Sequence, residues 1–385
     1  MSDTNTIAVV TGGTAGVGRA TVDKLLARGH RVAVLARGQE RLDELSRQYG
    51  DRIWTRSTDV ADDAAVAAAA DALASEWGAP SIWVNSVMLT SVSRFADVDE
   101  AEFRTITDAT YLGTVNCCRH ALRIMTAGNI VNVGSGLSYR AIPLQAAYCG
   151  AKHAINGFTQ ALRSELIDEG RPIELSLVQL PAINTPQFDW ARNRMPRKPQ
   201  PAPPIFQPEV AAEGILKAID EDAREVLVGR SVVQLVFGNM LFPDLLDRQL
   251  AKQGDEMQQS DAVDYGRPDN LDGPLADYPS KAHGSFDHKA EAKGISVDAD
   301  RSRKAIALGG AALLVGLGVL AGRASAGRVR AAPRRERLPA TTDGDRTETL
   351  AVDPADRSRP WGQGDGHLDR DAIGAREYRP GGFRA

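Results

Sequence analysis

Residues 7–28 constrain this chain more than any other stretch. Ile7 to Val10 is a short β-branched run, T-G-G-T-A-G-V-G (Thr11 to Gly18) follows at once, and a helical pattern runs from Arg19 to Arg28. Strand, glycine turn and helix in immediate succession is the context of a dinucleotide fingerprint. Gly12 permits the tight turn, Gly16 lets the backbone approach a pyrophosphate, and Gly18 lets the helix lie close on the strand. Free N–H groups and the dipole at the helix N-terminus would then hold the phosphates. A unit of this kind belongs to an open parallel sheet with helices on both faces, so the expected fold is α/β, Rossmann-like and doubly wound.

The chain downstream repeats the alternation. Arg31 to Ala36 reads as a second strand ending at Arg37. An acidic residue near this point would accept the ribose 2′-hydroxyl of NAD, whereas an arginine accommodates a 2′-phosphate, so Arg37 points to NADP over NAD. Arg52 to Thr58 leads to Asp59 and Val60, with Asp59 placed to cap a helix starting near Ala61. Asp62 to Trp77 is mostly alanine and strongly helical. Ser81 to Val84 is a further strand that runs into N-S-V-M, Asn85 to Met88.

The chemistry is concentrated between residues 130 and 152. Ile130 to Val133 reads as a buried strand ending in a glycine-rich turn that carries Ser135, which places its hydroxyl at a strand's carboxyl end. Tyr148 and Lys152 stand four apart in a segment with helical spacing (146–166), hence on one helix face. An ammonium beside a phenol favours the phenolate, so Lys152 is expected to draw the Tyr148 pKa down from about 10 and make it a general acid/base.

These motifs, in this order, resemble the short-chain dehydrogenase/reductase superfamily over residues 5–230. The resemblance implies that Ser135, Tyr148 and Lys152 are catalytic, with Lys152 also holding the nicotinamide ribose hydroxyls. It places Thr11, Gly12, Thr14, Gly16, Val17 and Gly18 around the dinucleotide, and Asp59 and Val60 against the adenine. Ala36 stands where NAD-preferring relatives carry aspartate. Asn85 matches the family's N-N-A-G turn, and Val87 and Met88 depart from it with side chains expected to crowd the turn. Thr110, in T-Y-L-G, stands where the family often has an asparagine holding a proton-relay water. In P-A-I-N-T-P (Pro181 to Pro186), Ile183 and Thr185 resemble the residues that hold the nicotinamide carboxamide, and Ala182 replaces the usual glycine.

The length of 385 residues accommodates one α/β domain of about 250 residues and an extension. The expected division is 1–250 catalytic domain, 251–304 polar extension or linker, 305–322 transmembrane helix, and 323–385 disordered tail. Within the first part, 187–208 is proline-rich and irregular. A loop of that length reads as a lid, with Phe188, Trp190, Met195, Ile205 and Phe206 offering substrate an apolar wall. Glu209 to Ile219 reads as a helix, Glu225 to Val228 as an edge strand, and 255–300 as an extended or partly disordered linker. Residues 305–322 carry no charge and as a helix would measure about 27 Å, near a bilayer's hydrocarbon thickness. A buried helix or hairpin is the alternative reading there.

A net charge of -4 gives no nucleic-acid footprint. Three cysteines and six scattered histidines show no ligand spacing, so no metal is expected. The amino terminus M-S-D-T-N-T has no basic start and no apolar signal core, so secretion is not expected, and the need for cellular NADPH makes the cytoplasm the expected place of the catalytic domain. The expected function is an NADP-dependent oxidoreductase that interconverts an alcohol and a ketone or aldehyde. It would act on a partly apolar small molecule, as a homodimer or homotetramer anchored through 305–322. The alternative is a membrane-tethered dinucleotide-binding sensor or scaffold without turnover.

Overall fold

The computed structural model describes residues 6–300. Seven parallel strands form the centre: β1 (Ile7–Thr11), β2 (Arg31–Ala36), β3 (Ile53–Ser57), β4 (Ile82–Asn85), β5 (Gly128–Ser135), β6 (Ile173–Leu180) and β7 (Glu225–Val228). They lie in the order β7-β6-β5-β4-β1-β2-β3, and β8 (Ser296–Asp298) joins β7 antiparallel at the edge. The order reverses between β1 and β4, so a crevice opens at their carboxyl ends, beside Thr11 and Asn85. The expected α/β doubly wound sheet is the observed fold.

Alternation along the strands builds the two faces. Val9, Ala33, Leu35, Trp83 and Ile130 point to one side, against α3 (Asp63–Glu76), α5 (Gly113–Ile124) and α6 (Ala146–Asp168). Ala8, Val10, Val32, Val34, Val84 and Val131 point to the other, against α1 (Gly16–Ala27), α2 (Gln39–Tyr49) and α7 (Pro208–Asp220). A strand covered on both faces carries apolar residues on both, as at these positions.

Local signals set the helix ends that matter for the site. The glycine turn feeds α1 directly, so this helix starts at Gly16 rather than Arg19. The Asp62 carboxylate accepts from Ala64 and Ala65 N–H at 2.9 and 3.2 Å and caps α3. Asp59 instead accepts from Ala61 N–H at 3.0 Å, which turns the chain one step earlier. The capping role expected of Asp59 therefore passes to Asp62. Between α4 (Glu100–Thr107) and α5 one turn widens to a π-helix, Asp108–Leu112, which carries Thr110.

Two expectations are corrected. Residues 187–208 are tied down rather than loose. After one helical turn, Gln187–Trp190, short strand pairings join 192–193 to 91–92, 197–199 to 259–263, and 205–206 to 182–183. Nor is 255–300 a free linker. It supplies β8 to the main sheet, the strand that pairs with 197–199, and a stretch that lies across the carboxyl ends of β1 and β2. Leu271 is its buried anchor, packed with Leu89, Ile106, Ala109 and Ala147. Polar composition concealed this because the segment docks mainly through hydrogen bonds and ion pairs. Helices α8 (Arg230–Leu241) and α9 (Pro243–Met257) form a hairpin beside it.

Among the described residues no helix is long and apolar enough to cross a membrane. The span expected at 305–322 and the tail at 323–385 lie outside the described residues.

Candidate active site

One cavity of about 580 Å³ runs along the carboxyl ends of the strands. One end is bounded by Arg37 and Arg41, its middle by the glycine turn, and its other end by Ser135, Tyr148, Lys152 and the α8–α9 hairpin. The glycine turn makes room for it. Gly12 and Gly16 have φ of +72° and +57°, which favours glycine. A Cβ on Gly18 would fall 2.3 Å from the Gly12 carbonyl oxygen, so only glycine lets α1 approach β1 this closely. Val17 and Gly18 line the cavity within the first helical turn, where N–H groups lack intrahelical acceptors. Thr14 lines it as well, while Thr11 stays behind the turn, its hydroxyl accepting from Ser86 N–H at 3.2 Å.

At the far end Ser135 closes β5. Its N–H donates to Gln179 Oε1 at 2.8 Å and to Ser138 Oγ at 3.1 Å, and its own Oγ accepts from Leu137 N–H at 3.1 Å. Tyr148 and Lys152 occupy the first two turns of α6, with the Lys152 nitrogen 5.7 Å from the centre of the tyrosine ring. Lys152 Nζ donates to the Val133 carbonyl at 2.6 Å, which fixes the ammonium against the last residues of β5. Serine, tyrosine and lysine thus converge on one cavity, as the spacing predicts.

The electrostatics differ from expectation. Burial pushes the Tyr148 phenol above its ordinary value, and a hydrogen bond with Ser135 works in the opposite direction but more weakly. Burial pulls Lys152 down to about 7. Desolvation penalises both charged forms and outweighs the attraction that was expected to lower Tyr148.

The remaining sequence candidates divide. Arg37, Asp59, Val60, Ile183 and Thr185 line the cavity. Asn85 does not. Its amide accepts from Trp83 Nε1 at 2.9 Å and donates to Asn132 Oδ1 at 2.8 Å in a buried network, so it braces β4 and leaves the cavity wall to Ser86, Val87, Met88 and Leu89. Val87 and Met88 line the cavity here rather than close it. Thr110 is fully buried, its hydroxyl accepting from Leu89 N–H at 3.0 Å and donating to Leu89 O at 3.3 Å. Both of its hydrogen-bonding roles are spent on the backbone, which corrects the catalytic role expected of it to that of a clip for the 86–89 turn. Of the five residues expected as an apolar wall, Phe188 and Trp190 line the cavity. Ile205 and Phe206 are buried in the short pairing with 182–183, and Met195 lies away from the cavity.

Three contributions were missed. Arg41, in the first turn of α2, is buried beside Arg37 and its Nε has no partner among the described residues. Its four-residue spacing from Arg37 at the strand–helix junction was a usable signal. Leu235, Leu246, Leu250 and Met257 from the α8–α9 hairpin supply the apolar end, a pairing that only the tertiary fold reveals. Asn270 and Pro274 line the cavity from the segment beyond residue 264, and Arg37 donates to the Asn270 carbonyl at 2.7 Å.

Comparison with known proteins agrees with this fold. The family model for short chain dehydrogenases matches residues 6–195. The uncharacterized oxidoreductase YxnA of Bacillus subtilis is 30% identical over 255 residues, covering 64% of this chain and 71% of its own. A 3alpha-hydroxysteroid dehydrogenase of Mediterraneibacter gnavus is 33% identical over 170 residues, 42% of this chain and 68% of its own. A solved short chain dehydrogenase of Burkholderia cenocepacia in complex with NADP is similar over 64% of this chain and 97% of its own, with 25% identity and a TM-score of 0.55. The chain belongs to the short-chain dehydrogenase/reductase family and is an oxidoreductase. The stretch from 264 to 287 lies wholly beyond the residues that the family model matches.

Proposed function

We propose that this enzyme interconverts an alcohol and a ketone or aldehyde with NADP(H), using Tyr148 as the general acid/base. The convergence of Ser135, Tyr148 and Lys152 on a cavity that also meets the glycine turn is the observation that carries this reading. The residues present fit the dinucleotide: Gly12 and Gly16 hold φ values that favour glycine, a Cβ on Gly18 would meet the Gly12 carbonyl, the first turn of α1 faces the cavity, and two arginines stand at the β2 end. Arg37 and Arg41 would take the 2′-phosphate, Asp59 and Val60 the adenine side, and Ile183 and Thr185 the carboxamide. When bound, the nicotinamide supplies or accepts the hydride.

In the direction of carbonyl reduction, Tyr148 donates its proton to the substrate oxygen as the carbon accepts hydride. Its raised affinity for that proton keeps it in the acid form needed for this step. Ser135 stabilises the developing oxyanion by hydrogen bonding. Lys152, held by the Val133 carbonyl, binds the nicotinamide ribose and supports the tyrosinate left behind. The hairpin side chains Leu235, Leu246, Leu250 and Met257 form a wall that favours a partly apolar substrate and excludes water. Assembly as a homodimer or homotetramer belongs to the same reading, with sedimentation velocity as its measure. Nothing in this chemistry draws on 305–322.

The test is a panel of aliphatic, cyclic and aromatic carbonyls and alcohols, assayed with NADPH or NADP and in parallel with NADH or NAD. Turnover that is faster with the phosphorylated cofactor at equal concentration supports the proposal. Tight binding of NADPH with no turnover across the panel would instead favour a sensor.

A further inference from the structure

Residues 269–284 are not a neutral passage of chain. They cross the β1–β2 end of the cavity and accept hydrogen bonds there from the two arginines. Asn270 O and Leu271 O accept from Arg37 at 2.7 and 3.4 Å, and Leu275 O accepts from Arg41 at 3.2 Å. Further along, Ser280 Oγ donates to the Thr14 carbonyl at 2.9 Å, and Lys281 O accepts from Gly16 N–H at 3.1 Å. The segment therefore spans the arginine pair, the strand end and the glycine turn.

It is also anchored by three sets of contacts. Leu271 is 1% exposed and sits in the cluster against which Tyr148 packs. Asp269 and Asp272 both pair with Arg192, on the chain following the Gln187–Trp190 turn, at 2.9 and 2.6 Å. Trp190 stacks edge-on against Tyr278 with ring centres 4.7 Å apart. Beneath this bridge the cavity persists, with Asn270 and Pro274 among its lining.

Resting on the reading of the cavity as a dinucleotide site, we propose that residues 269–284 are a binding part of that site, a strap that closes over the adenosine half. Its carbonyls accept from the guanidinium groups of Arg37 and Arg41, which fixes both side chains at the β2 end while leaving Arg41 Nε unpaired. A dinucleotide lying under the strap leaves only when the Leu271 anchor and the Arg192 pairs release together. Exchange then follows a local opening rather than simple dissociation. The spent dinucleotide must pass through the same opening once in every turnover.

The test measures NADPH release from the full-length protein by stopped-flow fluorescence, with excess NADP as chase. Leu271→Ala loosens the anchor, and release is expected to accelerate by about tenfold or more, since such changes act mostly on off-rates. A second variant, Asp269→Asn with Asp272→Asn, removes both pairs with Arg192. It is expected to accelerate uptake and release alike. Release rates that are the same in wild type, Leu271→Ala and the double asparagine variant would overturn the strap while leaving the dinucleotide site intact. Wild-type protein that binds neither NADPH nor NADH would overturn the underlying functional reading instead.

Discussion

At the scale of single residues the site is dominated by desolvation. Lys152 is held down to about 7 by burial, against about 10.4 in an unfolded chain. Between those values the unfolded chain carries a proton that the folded chain lacks, so this group makes stability rise as pH rises through that window. The urea midpoint of the cofactor-free protein is therefore expected to increase between pH 7 and 9.5, and Lys152→Met should reduce that increase. An undiminished rise in the variant would contradict the assignment. The arginines carry a second prediction. On the proposed reading Arg37 and Arg41 both meet the 2′-phosphate, so Arg37→Asp should weaken NADPH binding by about ten- to a hundredfold, the loss of a charge-assisted contact. The NADH constant, measured by the same fluorescence titration, should move far less. The places of Arg37, Ser135, Tyr148 and Lys152 on the cavity were legible in the sequence because they depend on local spacing beside strand ends. The direction of the Tyr148 shift was not, because burial is a property of everything packed around the pair.

At the scale of elements, close approach decides what is tolerated. Gly18→Ala would drive a Cβ to 2.3 Å from the Gly12 carbonyl, a contact that only separation of α1 from β1 can relieve. Such overpacking costs about 1–3 kcal/mol and should lower the melting temperature and dinucleotide affinity together. The Thr110 clip makes the opposite kind of case, in which one hydroxyl satisfies both polar groups of Leu89. Thr110→Val leaves those groups buried and unpaired, at about 1–3 kcal/mol, whereas Thr110→Ser should keep stability and turnover near wild type. Calorimetry and the steady-state rate on the same preparations check both. Position in the family pattern suggested a relay at Thr110, and the sequence contains no sign that the π-turn delivers its side chain to the Leu89 backbone. Asn85 repeats the lesson: it was found by position, and its partners Trp83 and Asn132 lie beside it only once the sheet and its alternation exist.

At the scale of the whole molecule the sheet reverses between β1 and β4, and this reversal is what gives a glycine turn and a Tyr148–Lys152 helix a common cavity. Apolar runs with glycine turns made the sheet legible from end to end as far as β7. The wall of the cavity was less legible, because Leu235, Leu246 and Leu250 reach it from a hairpin and Asn270 from a polar segment whose docking groups are backbone carbonyls. The central claim is that Tyr148 moves the proton in a hydride-transfer reaction for which the rest of the cavity binds and orients. Its most direct measurement is Tyr148→Phe, with turnover on the best carbonyl of the panel and NADPH affinity determined on the same sample. The account predicts a rate lower by about 10²–10⁴-fold, the usual contribution of a positioned acid, with NADPH affinity within a few-fold of wild type. A variant that turns over at the wild-type rate would contradict it.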